Sequence, residues 1–407
     1  MRDSPVKSDR GDRLCADAGR FCSILGIKRW RTRMAWVQAA IKDGARSGAL
    51  IAQRYAVELA AEKCRQGAVL TRTEALLAQR VGMVFRVYKS LSVAGRARFA
   101  ERLEQALSGD ETVIPLLHVV RTAALHEALG FIVRQSGFED GTPFDLLIER
   151  AGCTAEVACD TLSAEAGRTV HRAAWMRLID RIDPDLQNWL ATHPGRYLLK
   201  MTLPKGLRSE AAGEAQTDAL ASLHQRISTM LTQSRRGDHD EAAVLRLDPL
   251  MLAAAQANEN GLMQQLRREF GPEANLAVTG SGQGVFVLAA RAGNENEVAV
   301  AMRHRLAALA PARLTGTRPG ILAMFIEDTD RVEWQLLRDQ LTLEGEARQF
   351  LTFPEARPVV AVTCASRLEL GVELGAAGVE RAAMRFRNPA HPAAKWPELA
   401  PAVLSTV

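Results

Sequence analysis

The chain has 407 residues, 47% hydrophobic and 24% charged, the composition of a folded globular protein with room for two or three domains. It contains no run of about 18 apolar residues and no apolar signal-like segment in its first 20, so no membrane span is expected and the protein is expected in the cytoplasm. Residues 1–110 hold 21 Lys and Arg against 11 Asp and Glu, a balance of +10 in a chain whose total is +5, and so basic a segment suits nucleic acid as a partner.

Residues 1–20 are polar and are expected to fray. Lys28-Arg29-Trp30-Arg31-Thr32-Arg33 is the densest basic cluster. Lys28, Arg29, Arg31 and Arg33 can neutralise phosphates while Trp30 stacks on a base. Trp30 packing inward at the start of the first helix is the other reading. Helices are expected at about 33–42, 47–66, 71–90 and 93–107, broken at Gly44, Gly48 and Gly67 and capped by Thr71 and Ser92. Ser108-Gly109-Asp110 ends this helical, basic region.

From Leu116 the spacing of Leu117, Val120, Ala124 and Leu125 predicts a helix that Gly130 closes. Phe131-Ile132-Val133 predicts a strand, and Phe144 to Ile148 a second one, reached through the turn residues Asp140 to Pro143. Ala155 to Thr161 follows across Ala151-Gly152, as in a hairpin. A helix from about Gly167 and a strand from Tyr197 to Leu203 complete the order helix, three strands, helix, strand. Two carboxylates interrupt the strands, Asp145 at the mouth of the second and Glu156 inside the third. Gathered at one end of a hairpin they suit a divalent cation that activates water. The alternative is a turn cap and a solvent-facing strand residue. Lys200 lies inside an apolar strand, where an unpaired ammonium is costly unless the strand is an edge.

Beyond residue 208 the pattern predicts helices at Ser209–Arg236, Leu250–Phe270, Glu295–Leu309 and Val332–Leu343. Strands are expected at Ala242–Leu247, Asn275–Thr279, Gly284–Leu288, Ile321–Ile326 and Val359–Thr363. Gly280-Ser281-Gly282-Gln283 lacks the residues of a phosphate loop and is read as a hairpin turn. The acidic run Glu327 to Asp330 either binds a cation or caps the next helix. Arg235 to Asp240 reads as an exposed turn and Arg385 to Val407 as an irregular tail. Six cysteines without C-x-x-C spacing point to reduced thiols rather than zinc.

The stretch 111–208 resembles the core of the PD-(D/E)xK, or restriction-endonuclease-like, nucleases, whose core has the same helix, three strands, helix, strand order. Pro143-Phe144-Asp145 matches the Asp of the second strand and Glu156-Val157-Ala158 the Glu-x-Lys of the third, with Ala158 where the lysine belongs. The resemblance implies a DNA-binding protein in which Asp145 and Glu156 hold Mg2+ with help from Glu127. Lys200 or Arg172, or their neighbours Arg168 and His171, would then replace the missing lysine during phosphodiester hydrolysis. The alternative it implies is a nuclease fold without catalysis, kept as a DNA-binding or assembly module. The expected architecture is α/β, with a helical basic region over 1–110 and a restriction-endonuclease-like mixed sheet flanked by helices over 111–208. An α/β extension with the irregular tail would occupy 209–407.

Overall fold

The computed structural model describes residues 9–208, 214–250, 259–271, 274–282, 284–371 and 383–406. The architecture is α/β, built on two mixed sheets, and the chain divides into two compact units. Unit 1 comprises residues 1–39, 52–164 and 299–407, and unit 2 comprises residues 40–51 and 165–298.

The described residues open with six helices: α1 (Asp9–Phe21), α2 (Ile27–Lys42), α3 (Ala45–Arg54), α4 (Ala56–Arg65), α5 (Arg72–Ser90) and α6 (Val93–Ala106). Of the stretch 1–20 expected to fray, residues from Asp9 onward belong to α1, and residues 1–8 lie outside the described residues. Gly48 lies within α3, and the break in the expected 47–66 helix falls at Tyr55. Both expected caps are present. Thr71 accepts the Glu74 amide at 3.3 Å while the Glu74 side chain accepts the Thr71 amide, and Ser92 accepts the Gly95 amide at 3.0 Å.

Helix α7 (Ile114–Ala128) is buried over most of its length and turns out through Gly130 at φ +84°, where only glycine is unstrained. Next come β1 (Ile132–Arg134), the short α8 (Ser136–Glu139), β2 (Leu146–Arg150) and β3 (Cys153–Ser163). The expected hairpin forms: β2 and β3 are antiparallel, and Ala151 and Gly152 both have positive φ, as a two-residue type I′ turn requires.

Unit 2 holds α9 (Arg172–Thr192), β4 (Arg196–Leu203), α10 (Glu214–Thr232), β5 (Gly237–His239), β6 (Val244–Pro249), α11 (Glu259–Phe270), β7 (Asn275–Ser281) and β8 (Gly284–Ala292). Its sheet has the order β5-β6-β4-β8-β7. Leucines and isoleucines of α9 and α10 cover one face, and Leu262 and Leu266 of α11 cover the other. The segment 40–51 belongs here because Asp180 of α9 accepts the Arg46 and Ser47 amides at 2.9 and 2.8 Å, capping α3. Gly280 to Gly282 joins an antiparallel pair, the hairpin expected there, while Gln283 lies outside the described residues. So do residues 209–213 and 251–258 of two expected helices. The expected turn at Arg235–Asp240 contains edge strand β5.

The chain returns to unit 1 with α12 (Val298–Arg313), β9 (Gly320–Glu327), α13 (Arg331–Asp339), α14 (Thr342–Phe350), β10 (Val359–Ser366), β11 (Met384–Arg387) and α15 (Ala400–Val403). Leu341, at φ +57°, divides the expected 332–343 helix in two. The tail is less irregular than its prolines suggest, since β11 pairs with β10. The sheet order is β1-β2-β3-β9-β10-β11, with β3, β9 and β10 mutually parallel. All eight residues of β9 and of β10 are buried, as central parallel strands require.

The fourth strand departs from expectation: β4, with Lys200, was expected in one sheet with β3 over 111–208, but it lies in the sheet of unit 2. The partner of β3 is β9, reached through α12. Residues 165–298 are thus inserted between β3 and the helix and strand that continue its sheet.

Candidate functional site

Asp145 sits at the mouth of β2 and is 1% exposed. Its amide donates to Val157 O at 3.0 Å, which continues the β2–β3 ladder and aims the side chain into unit 1. Three donors meet the carboxylate. Arg102 Nη1 of α6 lies 2.7 Å from Oδ1, and Arg313 Nη2, at the end of α12, lies 2.8 Å from Oδ2. The Cys159 amide donates to Oδ2 at 2.8 Å. Arg102 is held from behind by the Phe138 ring, 4.9 Å from its guanidinium carbon. Burial, and then the Asp145 charge, push the Cys159 thiol well above its ordinary range, so the sulfur beside the carboxylate stays protonated.

One helix supplies a second guanidinium to the same strand pair. Arg305 and Arg313 are eight residues apart on α12, two turns that return to one face. Arg305 grips Asp160 of β3 through two nitrogens, with Nη2 to Oδ1 at 3.0 Å. Arg102, Asp145, Cys159, Asp160 and Arg313, with Gln105 and Ser108, line a cleft of about 470 Å3.

Glu156 is fully buried on β3 and has other partners. Thr315, just past α12, donates its amide at 2.9 Å and its hydroxyl at 2.5 Å to the two carboxylate oxygens. Arg318 Nη1 stands 3.6 Å from Oε1. Among the described residues Asp145 and Glu156 therefore share no hydrogen-bond partner. Each anchors a different part of the segment that closes α12 onto the sheet.

The remaining candidates lie elsewhere. Glu127 is exposed near the end of α7, eight residues beyond the cleft-lining Val119, or about 12 Å of helical rise. Lys200 belongs to unit 2, where its ammonium lies 3.4 Å from Asp248 and 5.7 Å from the Phe270 ring centre. Arg172 begins α9, also in unit 2, and donates its amide to Glu165 at 3.0 Å. Arg168 pairs with Glu165 at 2.6 Å, and His171 Nδ1 is 3.9 Å from the same carboxylate.

In the basic cluster Trp30 packs inward. It is 2% exposed, donates Nε1–H to Glu62 at 2.8 Å and meets the Phe21 ring edge-on at 6.1 Å, so it offers no stacking face to a base. Arg33 is buried as well, bonded to the Gly109 and Glu111 carbonyls and sandwiched by Trp36 and Tyr55 at 4.8 and 4.9 Å. Lys28, Arg29 and Arg31 remain on the surface, Arg29 beside Glu104. In the acidic run Asp330 caps α13, accepting the Glu333 amide at 2.8 Å, and Asp328 pairs with Arg54 at 2.6 Å.

Mg2+ takes oxygen ligands in near-octahedral array and needs carboxylate lone pairs free to face it. At Asp145 those directions point at two guanidiniums and an amide, and at Glu156 they point at Thr315. The donor set does not fit the ion. Among the described residues no group of three or more His, Cys, Asp or Glu is gathered to hold a metal. Among the same residues no helix is long and apolar enough to cross a membrane. No protein-family model, curated protein or solved structure matches this chain. Sequence reading alone missed Arg102, Arg305, Arg313 and Thr315. The eight-residue spacing of Arg305 and Arg313 was the available signal.

Proposed function

We propose that unit 1 is a restriction-endonuclease-like sheet in which arginine has taken the place of the metal, and that the protein binds nucleic acid, DNA first, without cutting it. One observation carries the reading: both oxygens of the buried Asp145 carboxylate are engaged by Arg102, Arg313 and the Cys159 amide. A cation is still bound at this carboxylate, but it is covalently part of the protein and brings no water to activate. The order α7, β1, β2, β3, α12, β9 supports the family assignment, being helix, three strands, helix, strand with an insertion after β3. Ala158, fully buried where the family carries lysine, supports the absence of catalysis. The basic charge of residues 1–110, with Lys28, Arg29 and Arg31 exposed, supports a polyanionic partner.

Fluorescence anisotropy on a labelled duplex tests the binding half. Affinity should fall about 10- to 100-fold between roughly 50 and 200 mM salt, and replacing Lys28, Arg29 and Arg31 by glutamine should flatten that slope. Absence of binding at low salt defeats the proposal. For the catalytic half, incubation with Mg2+ or Mn2+ should produce no cutting that depends on Asp145. Cleavage abolished by Asp145→Asn would restore the metal-dependent hydrolase.

A further inference from the structure

A second concavity of unit 1 has a different chemistry. It lies where the end of α14, the connection from α14 to β10, and the residues after β11 meet, and its volume is about 610 Å3. That is the size range of small-molecule sites. Its walls are mostly apolar, with the half-buried Phe353 ring and three prolines, Pro354, Pro389 and Pro392. Phe353 meets Phe350 edge-on at 6.4 Å, which fixes its plane.

Three arginines line this apolar hollow, Arg348, Arg357 and Arg387, and no lining residue is acidic. Arg348 is paired with Glu344 at 2.6 Å. Arg357 is exposed and Arg387 half-buried, and neither guanidinium has a carboxylate or hydrogen-bond partner among the described residues. They contrast with Arg102, Arg305 and Arg313, each committed to an aspartate. His391 also lines the hollow. Its Nδ1 accepts the Ala393 amide at 3.1 Å, which leaves the ring proton on Nε2 as a further donor.

We propose that this hollow binds a nucleotide-like ligand, a planar ring of nucleobase size carrying a phosphate. Arg357 and Arg387 take the phosphate, because paired N–H donors match its oxygens. The ring stacks against Phe353 and the proline faces, a contact that tolerates any base. Two sources share this chemistry, a free nucleoside monophosphate and the 5′-phosphorylated end of a strand. The inference does not rest on the duplex-binding reading, and its probe is a mononucleotide.

Isothermal titration with AMP, adenosine and inorganic phosphate tests it. AMP should bind at least tenfold more tightly than either fragment. Arg357→Gln and Arg387→Gln should each weaken AMP about tenfold, the loss of one charge-assisted contact, with the melting temperature unchanged. Arg357 is on the surface, so that variant folds whatever becomes of the other. AMP affinity no better than phosphate removes the ring contact, and affinity no better than adenosine removes the anion contact; either overturns the proposal. So does binding that survives both substitutions, or no binding by wild type. A 5′-phosphorylated dinucleotide that binds tenfold better than AMP, and loses this through Arg357→Gln, assigns the site to strand ends. Equal affinity assigns it to free nucleotide.

Discussion

Replacing Asp145 by asparagine distinguishes a structural carboxylate from a metal ligand. The side chain is 1% exposed and accepts hydrogen bonds of 2.7 and 2.8 Å from two guanidiniums and of 2.8 Å from an amide. Asparagine preserves the volume but loses the charge, and its amide turns two donors toward groups that are themselves donors. Removing one partner of a buried ion pair costs about 3–5 kcal/mol. Arg102 and Arg313 are 34% and 27% exposed and recover part of their hydration, which places the loss near the lower end, at about 3 kcal/mol. At roughly 2 °C per kcal/mol for a chain of this size, the melting temperature should fall by about 6 °C. The assay is thermal unfolding followed by circular dichroism with chelator present, alongside Arg313→Gln and the double variant. The two single losses should not add, since each removes the same contact. A carboxylate reserved for a metal would behave oppositely, because removing it relieves charge repulsion. An unchanged or raised melting temperature refutes the ion-pair account.

Burial, with Asp328 alongside, pushes the Glu327 carboxyl up to about 7 from an ordinary value of 4.5. The folded state then keeps a proton the unfolded chain has lost, so this group's contribution to stability declines as pH rises from about 4.5 to 7. Glu327→Gln, fixed as neutral, should gain on wild type by about 1.4 kcal/mol per pH unit in that window; urea midpoints at pH 5 and 8 that shift in parallel would contradict this. Burial holds His118 and His126 down at about 4, so both are neutral when folded and their contribution is lost as pH falls below about 6.5. His126→Phe should therefore flatten the acid limb of a melting profile. Trp30→Phe should cost about 1 kcal/mol through the lost Glu62 bond and leave duplex binding untouched, whereas a tenfold loss of binding would return Trp30 to the interface. A methyl group at Gly167 would stand 2.4 Å from Val298 Cα, backbone that cannot step aside. Gly167→Ala should accordingly destabilise unit 2 by about 2–3 kcal/mol, and a neutral result in urea unfolding would mean that the segments separate readily.

Local periodicity was enough to read the run from α7 through the β2–β3 hairpin, because each element there answers to its nearest neighbours. The partner of β3 was not legible. Parallel pairing is decided by which buried strand fills the sheet, and β9 lies some 160 residues away while β4 is close in sequence. Nothing at Glu165 or Val298 marks the insertion, since neither place carries a proline or charge run. Asp145 and Glu156 stood out because carboxylates are expensive in strands, but expense does not say who compensates it. The compensating groups come from positions 102, 313 and 315. Trp30 was readable: Trp30, Arg33, Met34 and Val37 are spaced as one helical stripe, and all four are buried.

The amide of Glu297 donates to the carbonyl of Gly167 at 2.6 Å, so the two ends of the inserted segment are a hydrogen bond apart. Pairing β3 with β9 directly would mean closing a loop of about 160 residues. Once residues 167 and 297 are joined, the loop left to close is about 30. At about 0.6 kcal/mol per doubling, that saves roughly 1.5 kcal/mol of chain entropy. The barrier to assembling the first sheet thus depends on whether the inserted unit has already folded. A chain leaving the ribosome has all of residues 165–298 before β9 exists, and synthesis order therefore presents β9 to a β3 whose long tether has already been shortened.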